Sequence, residues 1–274
     1  MENHLFAVRS YEHAAAEGDF HKNQRKAAIF MSVLRTEQIS KQYPGCLALD
    51  KVDVRFESGK VNALLGKNGS GKSTLVKCFA GAIAPSGGHF YLDDEELTFH
   101  SPIDANAKGF AMVYQEMSLV PSLTVTENIY LGKMPKKGAL IDWKTAHKNA
   151  AELLKTMGLD INPGEKVSRL PMWQCQVVEI TKAMSLNPKV LMLDEPTSSL
   201  AANEVENLFK AIRELKKRDI IIIYISHKLQ EIPQITDTIT VLRDGKFVGS
   251  VNTCDISNQG IINMMFGETQ IRQR

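Results

Sequence analysis

The chain has 274 residues, 43% of them hydrophobic, enough to bury a core in one large domain or two lobes. Its 33 basic and 31 acidic residues nearly cancel, so nothing in the charge balance calls for a nucleic-acid partner. The longest apolar run, Ile220 to Ile225, is far too short to cross a bilayer, no signal-peptide pattern opens the chain, and Cys46, Cys78, Cys175 and Cys254 lack C-x-x-C spacing. Reduced thiols in the cytosol, or on the cytosolic face of a membrane, are therefore expected rather than disulfides or a zinc site.

Residues 1–32 stand apart. They carry mixed charge, three histidines and little apolar periodicity, with room for a short amphipathic helix near Arg25 to Met31, and are read as an extension of unknown role. From Val33 the pattern turns to short strands: Val33 to Ser40, Val52 to Phe56 and Val61 to Leu65. The last of these runs into GKNGSGKST, Gly66 to Thr74, followed by an apolar stripe at helical spacing, Leu75, Val76, Phe79 and Ala80. Strand, Gly-rich loop and helix in that order are the context a phosphate-binding loop needs. Gly66, Gly69 and Gly71 allow sharp bends that turn N–H groups of the loop, including those of Lys67, Asn68 and Ser70, toward an anion, and the helix adds its positive end. Lys72 is expected to reach the β- and γ-phosphates, Ser73 to offer its hydroxyl to Mg²⁺, and Thr74 to sit beside the α-phosphate.

Further strands are expected at His89 to Leu92 and Phe110 to Tyr114, and Val120 to Leu186 reads as mostly helical. Gln115 ends a strand and opens that lobe. A glutamine there is solvated, or, beside a phosphate loop, reaches Mg²⁺ or the attacking water. VLMLDEP, Val190 to Pro196, is a buried strand whose carboxyl end presents two acids. Asp194 is assigned to the Mg²⁺ shell and Glu195 to the water that attacks the γ-phosphate. A helix from Ala202 to Lys217 leads to the strand at Ile220 to Ile225, then to His227, which is either structural or a hydrogen-bonding sensor of the γ-phosphate. A hairpin turning at Asp244 and Gly245 joins Thr238 to Leu242 with Phe247 to Val251, and a last helix spans Ile256 to about Phe266. The absence of an N-K-x-D segment argues against guanine recognition.

Four segments in this order, Gly66 to Thr74, Gln115, Val190 to Glu195 and His227, resemble the ATP-binding subunits of ABC transporters. The phrases YPGCLALDKV, YQEMSLVPSLTVTENIYLG, DEPTSSLAANEVENLF and TVLRDGKFVG are similar to the branch that imports ribose, galactose, xylose and related solutes. The resemblance implies an α/β fold: a P-loop NTPase (RecA-like) core with an antiparallel β subdomain and an inserted helical subdomain. It sets the ATP-binding domain at 33–268, the helical subdomain at about 116–188 and a tail at 269–274. It also implies ATP and Mg²⁺ as cofactors, with Ser73, Gln115 and Asp194 toward the metal and Tyr43 either stacking on adenine or serving as a surface turn residue. The implied partners are a second nucleotide-binding domain in a homo- or heterodimer, an integral-membrane permease and, indirectly, a solute-binding protein. Such a subunit is cytoplasmic and peripheral on the cytosolic face of the cell membrane. Branch members usually carry two such domains, and this chain resembles the N-terminal one.

Four positions depart from the family pattern. Where the family has an L-S-x-G-Q signature this chain has LPMWQ, with Pro171 at the serine and Trp173 at the glycine position. Proline offers neither hydroxyl nor N–H, and tryptophan blocks close backbone approach, so this half of a composite site is expected to be lost or altered while the helix behind it survives. Lys67 adds positive charge where the family is often acidic, and Ala201 stands where aspartate is common. The function expected is ATP hydrolysis for solute import, dependent on a partner's signature. Two alternatives stay open: a regulatory or remnant ABC protein that binds ATP without turnover, and a non-transport ABC ATPase.

Overall fold

The structure, a computed structural model, describes residues 31–267. Contacts divide the chain between Met31 and Ser32, and everything below belongs to the second unit. Apart from Met31 and Ser32, the expected extension 1–32 with its helix near 25–31, and the tail 269–274, lie outside the described residues.

Three apolar runs read as strands lie side by side in a parallel sheet: β4 (Val61–Leu65), β10 (Val190–Asp194) and β11 (Ile221–Ile225). Apart from Asn62 and the terminal Asp194 they are apolar without alternation, because both faces are covered. Ile222 and Tyr224 of β11 join one core with Leu191 and Leu193, whereas Ile221, Ile223 and Ile225 join the opposite core with Val190 and Met192. With β7 (Phe110–Val113), β12 (Thr238–Arg243) and β13 (Lys246–Asn252) the sheet runs β13-β12-β4-β11-β10-β7, antiparallel only at the β12–β13 hairpin. Helix α1 (Lys72–Phe79) packs on one face, and α6 (Ala202–Lys216) with α8 (Asn258–Phe266) on the other.

A second, antiparallel sheet has the order β2-β1-β5-β6, from β1 (Val33–Tyr43), β2 (Cys46–Val52), β5 (Gly87–Leu92) and β6 (Glu95–Leu97), with β3 (Arg55–Glu57) also paired to β1. The two sheets are joined by a relay of rings: Phe56, Phe79, Phe90, Phe99 and Phe110 stack edge-on or tilted at successive centroid distances of 6.3, 5.8, 5.1 and 4.9 Å. The strand expected over Val52 to Phe56 is broken, β2 ending at Val52 and β3 starting at Arg55. The cause is Thr36, whose hydroxyl donates to Val52 O at 2.8 Å and accepts from Val54 N at 2.9 Å, replacing ladder bonds while the chain continues along the same edge of β1.

A short helix, α2 (Pro102–Ala107), leads into β7. Between β7 and β10 the chain forms α3 (Val125–Ile129), α4 (Trp143–Lys155) and α5 (Met172–Met184), packed around Ile129, Ala146, Ala150, Leu154 and Val178. The stretch expected to be mostly helical also holds a small hairpin, β8 (Lys136–Lys137) with β9 (Leu140–Ile141). Gly132 and Gly138, at φ of 78° and 64°, turn the chain there in a way helix interiors exclude. The last helix starts at Asn258 rather than Ile256, because Ser257 caps it by accepting from Gly260 N at 3.1 Å. The short α7 (Ile232–Ile235) follows the loop after β11.

Candidate functional site

Parallel strands deliver their carboxyl ends to one edge of the sheet, and there the sequence-expected groups collect. The loop after β4, the acids ending β10 and the turn of the β12–β13 hairpin border an open cleft of ≈ 650 Å³. Asn68 to Thr74, Asp194 and Glu195 form one side, and Cys46, Leu47, Ala48, Asp244 and Gly245 the other.

The loop is fitted to a narrow space. A Cβ on Gly66, at φ 156°, would lie 2.3 Å from Leu242 O and from Ser70 Oγ, and one on Gly71, at φ 100°, would lie 2.7 Å from Ala48 O. Lys72 spans the loop, its Nζ donating to Gly66 O at 2.7 Å and to Lys67 O at 2.9 Å. Burial lowers its ammonium from the usual lysine range, opposed by the charges of Glu195 and Asp194. The Ser70 hydroxyl is buried with no partner of its own. Glycine-lined backbone, a buried cation and the start of α1 converge on one spot, a chemistry that suits phosphate. Ser73 is exposed at the first turn of α1 and Asp194 is half-buried opposite, hard oxygen donors of the kind Mg²⁺ takes. The residues present therefore fit a magnesium-bound nucleotide.

Glu195 has a left-handed backbone, with φ at 46°, as has Asp244 in the hairpin turn across the cleft, at 52°. Left-handed geometry at a non-glycine residue costs on the order of 1–3 kcal/mol and persists where surroundings enforce it. Here Glu195 N donates to Ile225 O at 2.9 Å, and Thr197, two residues on, is pinned at both ends. Its hydroxyl donates to Glu231 Oε2 at 2.7 Å, and its carbonyl accepts from Lys228 Nζ at 2.8 Å. Tyr224 OH donates to the same Glu231 oxygen at 3.0 Å; burial, then that carboxylate, pushes the phenol well above its usual range. The result aims the Glu195 carboxylate at His227, whose Nδ1 lies 2.8 Å from Oε1.

Of the residues expected from sequence, Asn68 to Thr74, Asp194 and Glu195 line the cleft, and His227 joins it through Glu195. Gly66 and Lys67 form the back of the loop. Tyr43 and Gln115 are exposed and outside the lining: Tyr43 pairs in the hairpin with Cys46, which does line it, and Gln115 follows β7 two residues after Val113, the partner of Leu193. The opposite wall lies within the phrases YPGCLALDKV and TVLRDGKFVG, but no residue of it is marked there for the cleft. Gly245 N donates to Ser70 O at 3.2 Å and Gly245 O accepts from Asp50 N at 2.8 Å, so the D-G turn, in sequence only a hairpin signal, clamps the phosphate loop to β2.

Burial, then the adjacent Glu195 charge, holds the Asp194 carboxyl above the usual aspartate range. A raised folded value means that the stability this group contributes is fully present below its unfolded value and is lost as pH rises through the folded one. Asp194→Asn should therefore raise the ligand-free melting temperature at pH 7, with the gain shrinking as pH falls through the raised value, while Mg²⁺ ceases to strengthen nucleotide binding. Melting curves at pH 7 and pH 4, with and without Mg²⁺, check it; an unchanged Mg²⁺ effect would remove Asp194 from the metal site.

A central parallel sheet with a phosphate loop at its carboxyl edge is the fold of a P-loop NTPase. A crystal structure of a nucleotide-free ATP-binding cassette from an ABC transporter superposes with a TM-score of 0.72 at 27% identity, covering 85% of this chain and 95% of that one. The family model described as ABC transporter matches residues 49–198. The chain belongs to the ABC transporter family. Similar curated proteins include a putative ribose/galactose/methyl galactoside import ATP-binding protein of Agrobacterium fabrum, 44% identical over 86% of this chain and 47% of its own length. A ribose import ATP-binding protein of Streptomyces avermitilis is 45% identical over 86% of this chain and 45% of its own length. The chain thus spans about half the length of the curated relatives it matches.

Proposed function

We propose that the chain is an ATP-binding and hydrolysing subunit of an importer for a sugar or similar small solute. The observation that carries the reading is the convergence of Lys72, Asp194 and the Glu195–His227 pair on one glycine-walled cleft; the names of the relatives supply the solute class.

The geometry of the cleft supports a role for most of the expected residues. Loop N–H groups and Lys72 hold the phosphates, and Lys72 exchanges its two loop carbonyls for phosphate oxygens. Ser73 and Asp194 would hold the magnesium ion, joined by Gln115 if the segment after β7 moves in, and the ion would supply charge neutralisation at the phosphoryl oxygens. Glu195 takes the proton of the attacking water, and His227 keeps that carboxylate in line and senses the terminal phosphate. Adenine would lie toward Cys46 and Leu47, which line the cleft, beside Tyr43, the hairpin partner of Cys46.

Pro171 and Trp173 favour dependence on a second nucleotide-binding domain that supplies an intact signature. The same two residues favour the second reading, an ATP-binding protein without turnover. A groove between the parallel sheet and α5, lined by Phe110, Tyr114, Leu131 and Glu179 among others, suits a permease segment. Among the described residues no helix is long and apolar enough to cross a membrane, so attachment would be peripheral, through such a partner.

Cys46 lines the cleft, whereas Cys254, also exposed, lies outside its lining. Saturating Mg-ATP should slow maleimide labelling of Cys46 at least tenfold and leave Cys254 unchanged. Equal labelling with and without Mg-ATP, followed by peptide mass, would refute nucleotide binding in this cleft.

A further inference from the structure

We propose that Lys67 and Phe266 form a latch between the phosphate loop and the end of α8, which the terminal phosphate of a bound nucleoside triphosphate opens by drawing Lys67 into the cleft. The inference rests on the nucleotide reading above and assigns the cleft a means of signalling to the C-terminal helix.

Two contacts tie the last turn of α8 to opposite shoulders of the cleft. Lys67 Nζ lies 4.3 Å from the centroid of the Phe266 ring. On the other side Arg243 Nη1 donates to Met264 O at 3.2 Å, and Arg243 immediately precedes Asp244 and Gly245, which line the cleft. Both cations sit at the carboxyl end of a helix, where the backbone dipole favours positive charge. Lys67 is placed to switch. Its carbonyl belongs to the loop, accepting from Lys72, and its successors Asn68 to Thr74 line the cleft, but its side chain turns outward onto the ring.

Magnitude decides which partner holds it. An exposed cation–π contact is worth a factor of about two to five in an equilibrium. A charge-assisted hydrogen bond to phosphate is roughly twice as strong as a neutral one and is further helped by the full charge of the terminal group. Lys67 therefore stays on Phe266 in the free chain and leaves it for a triphosphate. With a diphosphate, Lys72 and the loop N–H groups already serve the terminal phosphate, and the latch stays closed.

The test is a double-mutant cycle on the full chain, reading Kd for Mg-ATP and Mg-ADP by calorimetry, with amide hydrogen exchange across 258–266. Phe266 is 49% exposed, so Phe266→Leu should leave the fold intact. It should tighten ATP about two- to fivefold by releasing Lys67, with ADP unchanged, while Phe266→Trp behaves like the parent. Lys67→Gln should weaken ATP selectively, and adding Phe266→Leu to it should then change nothing. ATP, and not ADP, should speed exchange at the end of α8 in the parent but not in Lys67→Gln. Equal effects of Phe266→Leu on ATP and ADP, additivity with Lys67→Gln, or exchange indifferent to ATP would each overturn the latch alone. No binding of either nucleotide to the parent would overturn the latch together with the reading beneath it.

Discussion

Glu195→Gln should cut Mg-ATP hydrolysis by roughly 10²–10⁴-fold, the usual contribution of a positioned general base, while leaving the Kd for Mg-ATP within about threefold. The amide is nearly the size of the carboxylate and can still accept the hydrogen bond from His227 Nδ1, which lies 2.8 Å from Oε1. It cannot take a proton from water, so the change falls on the chemical step. The strained turn at Glu195 should hold as well, because its supports are Ile225 O and the Thr197–Glu231 pair rather than the Glu195 side chain. The measurement is turnover with a partner domain carrying an intact signature, beside calorimetric binding. Undiminished turnover would assign the base elsewhere, and a matching loss of binding would show that Glu195 acts through the fold.

Legibility in the amino-acid sequence divides local features from remote ones. Lys72, Asp194, Glu195 and His227 each end or follow a largely apolar run, and runs without apolar–polar alternation are buried on both faces, which parallel sheets achieve. Three such runs put their carboxyl ends at one edge, so the groups following them meet. The break at Val52 is hidden because it depends on one hydroxyl, that of Thr36, reaching a strand remote in sequence. The hairpin at Lys136–Lys137 and Leu140–Ile141 is hidden by helical periodicity on either side.

The far wall of the cleft is illegible for a different reason. Ala48 and Gly245 contribute backbone, not chemistry: the carbonyl of Ala48 would lie 2.7 Å from a Cβ on Gly71 and 3.0 Å from one on Gly245. No pattern of residue types marks such contacts in advance. Glu231 escapes notice because it looks like an ordinary surface acid of a polar loop. Only the fold brings Tyr224, Thr197 and Lys228 around it and makes it the prop of the turn at Glu195.

The double change Pro171→Ser/Trp173→Gly should convert a chain with little turnover alone into one whose hydrolysis rises steeply with its own concentration. In the structure Pro171 caps α5 with φ −63° and ψ 157°, and no side chain satisfies the first N–H groups of that helix. Its carbonyl accepts from Gln174 N and Cys175 N at 3.0 and 3.1 Å, so the first turn is well formed and its positive end is intact. On the proposed function, what such a start would lack is a hydroxyl to meet a phosphate and room for that phosphate to approach, since the half-buried Trp173 packs against the core shared with α6. Serine restores the hydroxyl and glycine the room. The cost is modest: glycine near the helix start and the lost indole packing should lower stability by about 1–3 kcal/mol, visible as a lower melting temperature. If a capped site takes two chains, as the proposed function has it, turnover should follow the dimer concentration, and either single change should give less than the pair. The discriminating comparison is Mg-ATP turnover over a hundredfold range of chain concentration for parent and repaired variant. Brisk, concentration-dependent turnover by the parent would mean that LPMWQ caps ATP and that the two substitutions are neutral. Turnover absent from both, with ATP bound by both, would favour a nucleotide-binding regulator over a transport ATPase.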